Sequence, residues 1–304
     1  MEDSAVPKEV DWREFSIEQL IRLMGMSAIG LVLLIFLFLI KEGAPALLEV
    51  PLSNLMGQRW YPTFDVYGLA PLILGSLLVT AGAIAISLPL GVATAVFIGE
   101  IAPEWVREIL KPVIEIIAGI PSVVVGFIGL QIVSPLVREF TGAPTGLTAL
   151  TGVLLLAYMA LPTIISIAED ALDAVLQSYR NAAYALSATE WQTVWRVVLP
   201  AARPGIITAV MLGVGRAIGE TMTVMMVAGN AARMPLGLDA FLRPVRTMTA
   251  TIAAEMGEVA RGSTHYHVLF TVGLALFIVT FLINLVAAAS ILRRERDGGG
   301  RFLA

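Results

Sequence analysis

Charge is missing from most of this chain, and the gaps between charged residues are long. Residues 23–40, 66–99, 116–137, 140–168 and 268–292 contain no Asp, Glu, Lys or Arg, and the stretch from Pro204 to Ala232 is broken only by Arg216 and Glu220. A helix needs roughly 20 apolar residues to cross a bilayer. Six spans follow, near residues 20–40, 72–98, 114–136, 148–168, 205–229 and 268–292. Composition agrees, since only 14% of the residues are charged, against about 25% in soluble domains. The expected fold class is all-α, a polytopic membrane protein with six transmembrane helices.

The leading segment, MEDSAVPKEVDWREFSIEQL, is long and rich in acids. A secretory signal would carry a short basic leader and an apolar core of about 7–15 residues. Residues 1–18 therefore read as a cytoplasmic tail, 19–292 as the transmembrane domain and 293–304 as a second cytoplasmic tail. Orientation follows Lys and Arg in the loops. With the N-terminus inside, twelve such residues fall in cytoplasmic pieces and seven in outer ones; the basic end RRERDGGGR is the clearest part of the bias. A multi-pass inner-membrane protein with both termini cytoplasmic is expected, surrounded by lipid.

Other chemistry is thin. The formal net charge is −4 and no basic patch suggests nucleic acid; there is no cysteine, and the two histidines, His265 and His267, form an H-x-H that reads as a solvated loop. No metal site is expected. Two spans contain proline, at GIPSVVVG (119–126) and LPT (161–163). Proline removes an intrahelical hydrogen bond and kinks a helix. Interrupted spans often line pathways in transporters, and packing kinks are the plainer alternative.

The pair Arg216 and Glu220 poses the sharpest question. Four residues apart on a helix, the two share a face and are within reach of each other. If the fifth span enters near Pro204, Arg216 lies about 18 Å along the axis, near mid-membrane. One charge there costs roughly 2.5–3.5 kcal/mol on insertion scales. Arg before Glu is the less favourable order for such a pair, so local helix stability does not explain it. Gly215 and Gly219 make a small-xxx-small pattern beside it that lets another backbone approach. The face should meet protein or a water-filled path. Either the pair locks an assembly together, or it lines or gates a route for a charged solute. An arginine fork suits an anion bearing several oxygens. The candidate pathway residues are Arg216, Glu220, Thr221 and Thr223.

The loop 169–204 is the longest inner one, and 230–266 is the long outer loop. Within the inner loop lies NAAYALSATEWQTVWRVVLP (181–200). Its small-faced helix suits docking on a partner; alternatively Trp191 and Trp195 place it at lipid headgroups. Its spacing resembles the E-A-A-x3-G-x9-I-x-L-P signature of ABC importer permeases. Ala182, Ala183, Leu199 and Pro200 match; Asn181 stands where Glu is usual, Ser187 where Gly is usual and Val197 where Ile is usual. Ser187 must then manage a turn that glycine makes easily. GVGRAIGETMTV (213–224) with AGN (228–230), GIPSVVVG and RTMTATIAAEMGE (246–258) extend the likeness over residues 70–290. The chain resembles the phosphate-specific importer permeases of the PstC type.

The resemblance implies a type I ABC importer permease fold and a part for Arg216 and Glu220 in phosphate movement. It implies a coupling helix around Asn181, Ala182, Ala183, Ser187, Leu199 and Pro200 that docks on an ATPase. The chain has no G-x-x-x-x-G-K-[ST] phosphate loop, and its only lysines are Lys8, Lys41 and Lys111. It is read as a transport subunit rather than an enzyme, with no cofactor of its own and ATP on the partner ATPase. The other expected partners are a second permease of the PstA type and an external phosphate-binding protein. Rival readings are a permease for another oxyanion or solute, and an ion-coupled carrier without an ATPase. An intramembrane hydrolase would need an H-E-x-x-H, a cysteine or a histidine within a span, and none is present.

Overall fold

The computed structural model describes residues 12–299. Six of the described helices are long and apolar enough to cross a membrane: Ser16–Glu49, Ala70–Ile101, Ser122–Thr141, Ala149–Asp173, Glu190–Gly219 and Thr264–Val286. They are called spans 1 to 6 here. Residues 1–11 of the expected N-terminal tail lie outside the described residues. The remainder of that tail is not separate, because one helix runs unbroken from Trp12 to Glu49. The basic C-terminal end likewise continues the last helix to Gly299.

Span 4 is the centre of the bundle and has the largest buried share; span 1 is exposed along most of its length. The Thr148 side chain caps span 4 by accepting the Thr151 N–H, a contact worth about 1 kcal/mol. Between helices in lipid, association rests on close packing rather than on the hydrophobic effect, so small residues mark the contacts. A Cβ at Gly205 would sit 2.3 Å from the Cβ of Ala171, and one at Gly213 would sit 2.6 Å from Ile164 Cγ1. Glycine at these positions is what lets span 5 lie against span 4. Pro162 remains inside span 4, whose helix continues through it to Asp173.

Three buried clusters follow one another along span 2. One gathers Val96, Ile98, Leu172, Val194 and Val198 near the loop that carries the ABC-like signature. The next holds Val79, Val153, Leu156 and Val224. The last, at the opposite end, contains Trp60, Tyr67, Leu72, Met248 and Leu269. There a two-residue strand pair, Trp60–Tyr61 against Val66–Tyr67, follows span 1. Span 1 joins span 6 through aromatic pairs, Phe36–Phe277 at 4.9 Å and Phe38–Phe270 at 5.6 Å.

Candidate functional site: two broken spans and a signature helix

Two transmembrane elements break, and the breaks touch. The expected third span, 114–136, divides in two. An amphipathic helix covers Glu104–Ala118, and span 3 proper starts at Ser122. Pro121 precedes the first residue of the new helix, where its missing N–H costs nothing. It starts a helix and does not kink one.

The expected single helix over 205–229 also divides. Span 5 begins as early as Glu190 and ends at Gly219; Glu220 is extended (φ −68°, ψ 126°), and a short helix resumes at Met222–Val227. This corrects the sequence-based geometry of the charged pair. Glu220 leaves the helix on which it would have shared a face with Arg216, and no ion pair joins the two among the described residues. The depth of Arg216 reckoned from an entry at Pro204 loses its origin as well.

Each residue of the run has a separate task. Glu220 Oε1 accepts the Thr223 N–H at 3.2 Å, satisfying a donor in the first turn of Met222–Val227. The Glu220 carbonyl accepts the Thr249 hydroxyl at 3.1 Å. The Thr221 hydroxyl donates to the Gly219 carbonyl at 3.2 Å, covering one of the carbonyls left open where span 5 ends. Thr223 is fully buried; its hydroxyl donates to the Ser122 carbonyl at 2.9 Å. A solute does not reach it in this conformation, so its part is to clamp one break against the other. Gly126 makes the clamp possible, because a Cβ there would lie 3.1 Å from Thr223 Cα.

Arg216 is exposed, with one long contact: Nη2 stands 3.5 Å from the Ala118 carbonyl. That carbonyl ends the helix Glu104–Ala118, where the backbone dipole is negative and favours a cation. Among the described residues nothing comes within 4 Å of a Cβ placed at Gly215 or Gly219, so the small-xxx-small face stays open. Behind Glu220 a small cavity is lined by Ser76, Thr80, Thr247 and Thr249. The Met248 N–H donates to Ser76 Oγ at 2.9 Å. Glu220 is thereby joined to the helix Met248–Glu255 and, through it, to span 2.

That helix is anchored by a cluster the sequence did not foreshadow. Glu255 Oε1 receives Arg246 Nη1 at 2.7 Å and Trp60 Nε1 at 3.2 Å, and Oε2 meets His265 Nε2 at 2.9 Å. His267 Nδ1 contacts the Glu42 carbonyl at 2.8 Å. The two histidines are thus structural partners, not a solvated loop pair. The Tyr67 ring lies 5.8 Å from that of His265, tilted by 37°, and burial, with the Asp65 hydrogen bond second, pushes its phenol up to about 12.

At the other end, the signature segment forms a helix over Gln177–Ala185. Ser187 has φ +59°, the left-handed value that glycine adopts freely and other residues only at a cost. The expected tight turn is there, closed by Ser187 N–H to Tyr184 O at 2.9 Å and Ala188 N–H to Ala183 O at 3.1 Å. Thr189 and Gln192 then form a reciprocal capping box that restarts the helix, and Leu199 and Pro200 follow half-buried in its continuation. Asn181 and Ala182 face outward, whereas Ala183 is only 7% exposed and packs inward. Ala183 therefore packs beneath the helix and is not on its exposed face. Leu186, at 85% exposure, and Tyr184 are also exposed in this segment, and the signature spacing singles out neither. Trp191 and Trp195 stack at 5.9 Å and are both exposed.

Comparison with known proteins gives this arrangement its context. The chain is 42% identical over 247 residues to a probable ABC transporter permease protein, YqgH, of Bacillus subtilis, covering 81% of this chain and 79% of that one. It is 36% identical over 266 residues to the phosphate transport system permease protein PstC of Mesorhizobium japonicum, covering 81% and 80%. Its fold superposes with a TM-score of 0.59 on a chain of a bacterial ABC transporter involved in the import of the acidic polysaccharide alginate. That match is at 14% identity and covers 93% of this chain and 98% of that one. The pattern described as binding-protein-dependent transport system inner membrane component matches residues 87–296. With six membrane-length helices among its described residues, this chain belongs to that family of multi-pass inner-membrane transport permeases.

Proposed function

We propose that the chain is the permease subunit of an ATP-driven phosphate importer and forms half of its translocation path. The observation that carries this is Arg216, a guanidinium with no carboxylate partner among the described residues, standing where two broken spans meet. An ionisable group at such a place is by default a solute-pathway group, and its fork geometry fits the oxygens of a phosphate. The similarity to phosphate transport system permeases supports the choice of anion.

On this reading a second permease of the PstA type covers the open face around Gly215 and Gly219. ATP-hydrolysing subunits dock on the Gln177–Ala185 helix in the cytoplasm, where both termini also lie, and an external phosphate-binding protein delivers the anion. Closure of the ATPase pair pushes the docking helix and rocks the spans. Arg216 then offers different affinity to the anion in the two states, which is the only way a ligand biases such an equilibrium. Glu220 and Thr221 form the break about which the end of span 5 moves against Met248–Glu255.

A permease for another small oxyanion is the second reading, favoured by the fact that Arg216 alone selects charge rather than shape. Purification of the native complex and reconstitution into vesicles tests both. Expected is an ATPase subunit in the complex and ATP-dependent accumulation of phosphate in preference to sulfate and molybdate. Accumulation of another oxyanion instead would move the conclusion to the second reading, and a complex without a nucleotide-binding subunit would reject both.

A further inference from the structure

The docking helix is held to the rest of the chain by very little apolar surface. Of the nine residues in Gln177–Ala185, Ala183 alone is buried. What grips the helix is Arg180. Its Nη2 lies 2.6 Å from Glu100 Oε1, 80 residues away in sequence, and 3.0 Å from the Leu172 carbonyl; its Nη1 lies 2.5 Å from the Val175 carbonyl. The two side chains are 13% and 9% exposed. Glu100 belongs to the π-helical turn Phe97–Ile101 that ends span 2, and Leu172 lies at the end of span 4.

Near-buried ion pairs add little net stability compared with apolar replacements. Their best-attested use is to fix the register of one element against another. The neighbouring cations extend the same tie. Arg107, on Glu104–Ala118, donates to the Ile98 carbonyl at 2.9 Å and also to the Gly99 carbonyl. Lys111 Nζ lies 3.0 Å from Glu169 Oε1, a carboxylate only 2% exposed on span 4. The helix so fastened ends at Ala118, the carbonyl that Arg216 contacts.

We infer that Arg180 is a positioning residue whose link to Glu100 transmits displacement of the docking helix to spans 2 and 4 and, through Arg107, to the break beside Arg216. The inference rests on the permease reading above. Without the link, the docking helix yields under a push, and hydrolysis proceeds without moving the spans.

The chain has no cysteine, which allows a direct test in the full complex, assembled with cysteine-free partners and reconstituted in vesicles. The measured quantity is anion moved per ATP hydrolysed, using whichever anion the wild-type complex carries. A failure of phosphate as substrate therefore leaves this test intact. Glu100→Gln keeps shape and removes charge. It should retain the ATPase subunit and basal hydrolysis within about twofold, while anion moved per ATP falls at least about fivefold, the lower end of a typical coupling energy. The double variant Glu100→Cys with Arg180→Cys should be equally uncoupled, and bridging its thiols with a short bismaleimide should restore coupling to within about twofold of wild type. Normal coupling in Glu100→Gln, a bridged variant as uncoupled as the unbridged one, or loss of the ATPase subunit from both variants would overturn the inference.

Discussion

Replacing Arg216 with alanine is expected to lower anion uptake by the reconstituted complex by about tenfold or more, the usual worth of one charge-assisted hydrogen bond, with the complex still assembled. The two halves of that expectation come from the same geometry. Arg216 is exposed and makes one long contact, to the Ala118 carbonyl. Exposed side chains with so few partners change stability by within about 0.5 kcal/mol when substituted, so folding survives. An anion passing the junction, in contrast, would lose the guanidinium that stands there, whose planar fork matches the oxygens of a phosphate. Arg216→Lys should recover only part of the rate, because a point charge on a flexible stem does not reproduce a planar fork. Initial uptake rates together with subunit co-purification decide the matter. Normal uptake by an assembled Arg216→Ala complex would remove the residue from the pathway.

The second large effect is expected at the docking helix. Leu186→Asp should release the ATPase subunit, weakening its binding by about tenfold to a hundredfold, as follows from losing a buried leucine worth about 1.5–3 kcal/mol. Leu186 is 85% exposed and follows the helix at the start of the Ser187 turn. A side chain so exposed packs little among the described residues, so the permease itself should keep its fold. Ala183→Asp should behave differently. That residue is buried beneath the helix, and a carboxylate there lacks a partner, which costs stability of the loop rather than the interface alone. Pull-down of the ATPase, with thermal stability of the isolated permease measured alongside, separates the two. Retained binding in Leu186→Asp would place the docking surface elsewhere.

The number of spans was legible because charge-free runs of bilayer length leave few other solutions. Their ends were less legible, for identifiable reasons. The apolar residues of Glu104–Ala118 run on into the charge-free stretch that begins at residue 116, so the amphipathic helix and span 3 read as one element until Pro121 is seen to open a new helix. The break at Glu220 carries no proline. Gly219 ends the helix, and the clue was the anion itself, placed so that its carboxylate caps the short helix that follows. The i,i+4 spacing of Arg216 and Glu220 suggested a mutual pair because the spacing rule assumes an unbroken helix.

Around Gln177–Ala185 the signature spacing told where the turn falls, and the positive φ of Ser187 agrees with it. Spacing did not tell which alanine faces outward, since that depends on how Arg180 orients the helix against Glu100. The Glu255 cluster draws residues from four separated segments, at 60, 246, 255 and 265. No local pattern in the sequence signals such a meeting.

The central claim is that the end of span 5 opens on a water-filled, protein-lined route at Arg216. Because the chain contains no cysteine, Arg216→Cys in the assembled complex supplies a unique thiol there. The account predicts that this thiol reacts readily with a charged, membrane-impermeant thiosulfonate. A thiol that reacts only with a lipid-soluble maleimide, and is untouched by the charged reagent from either side, would contradict it.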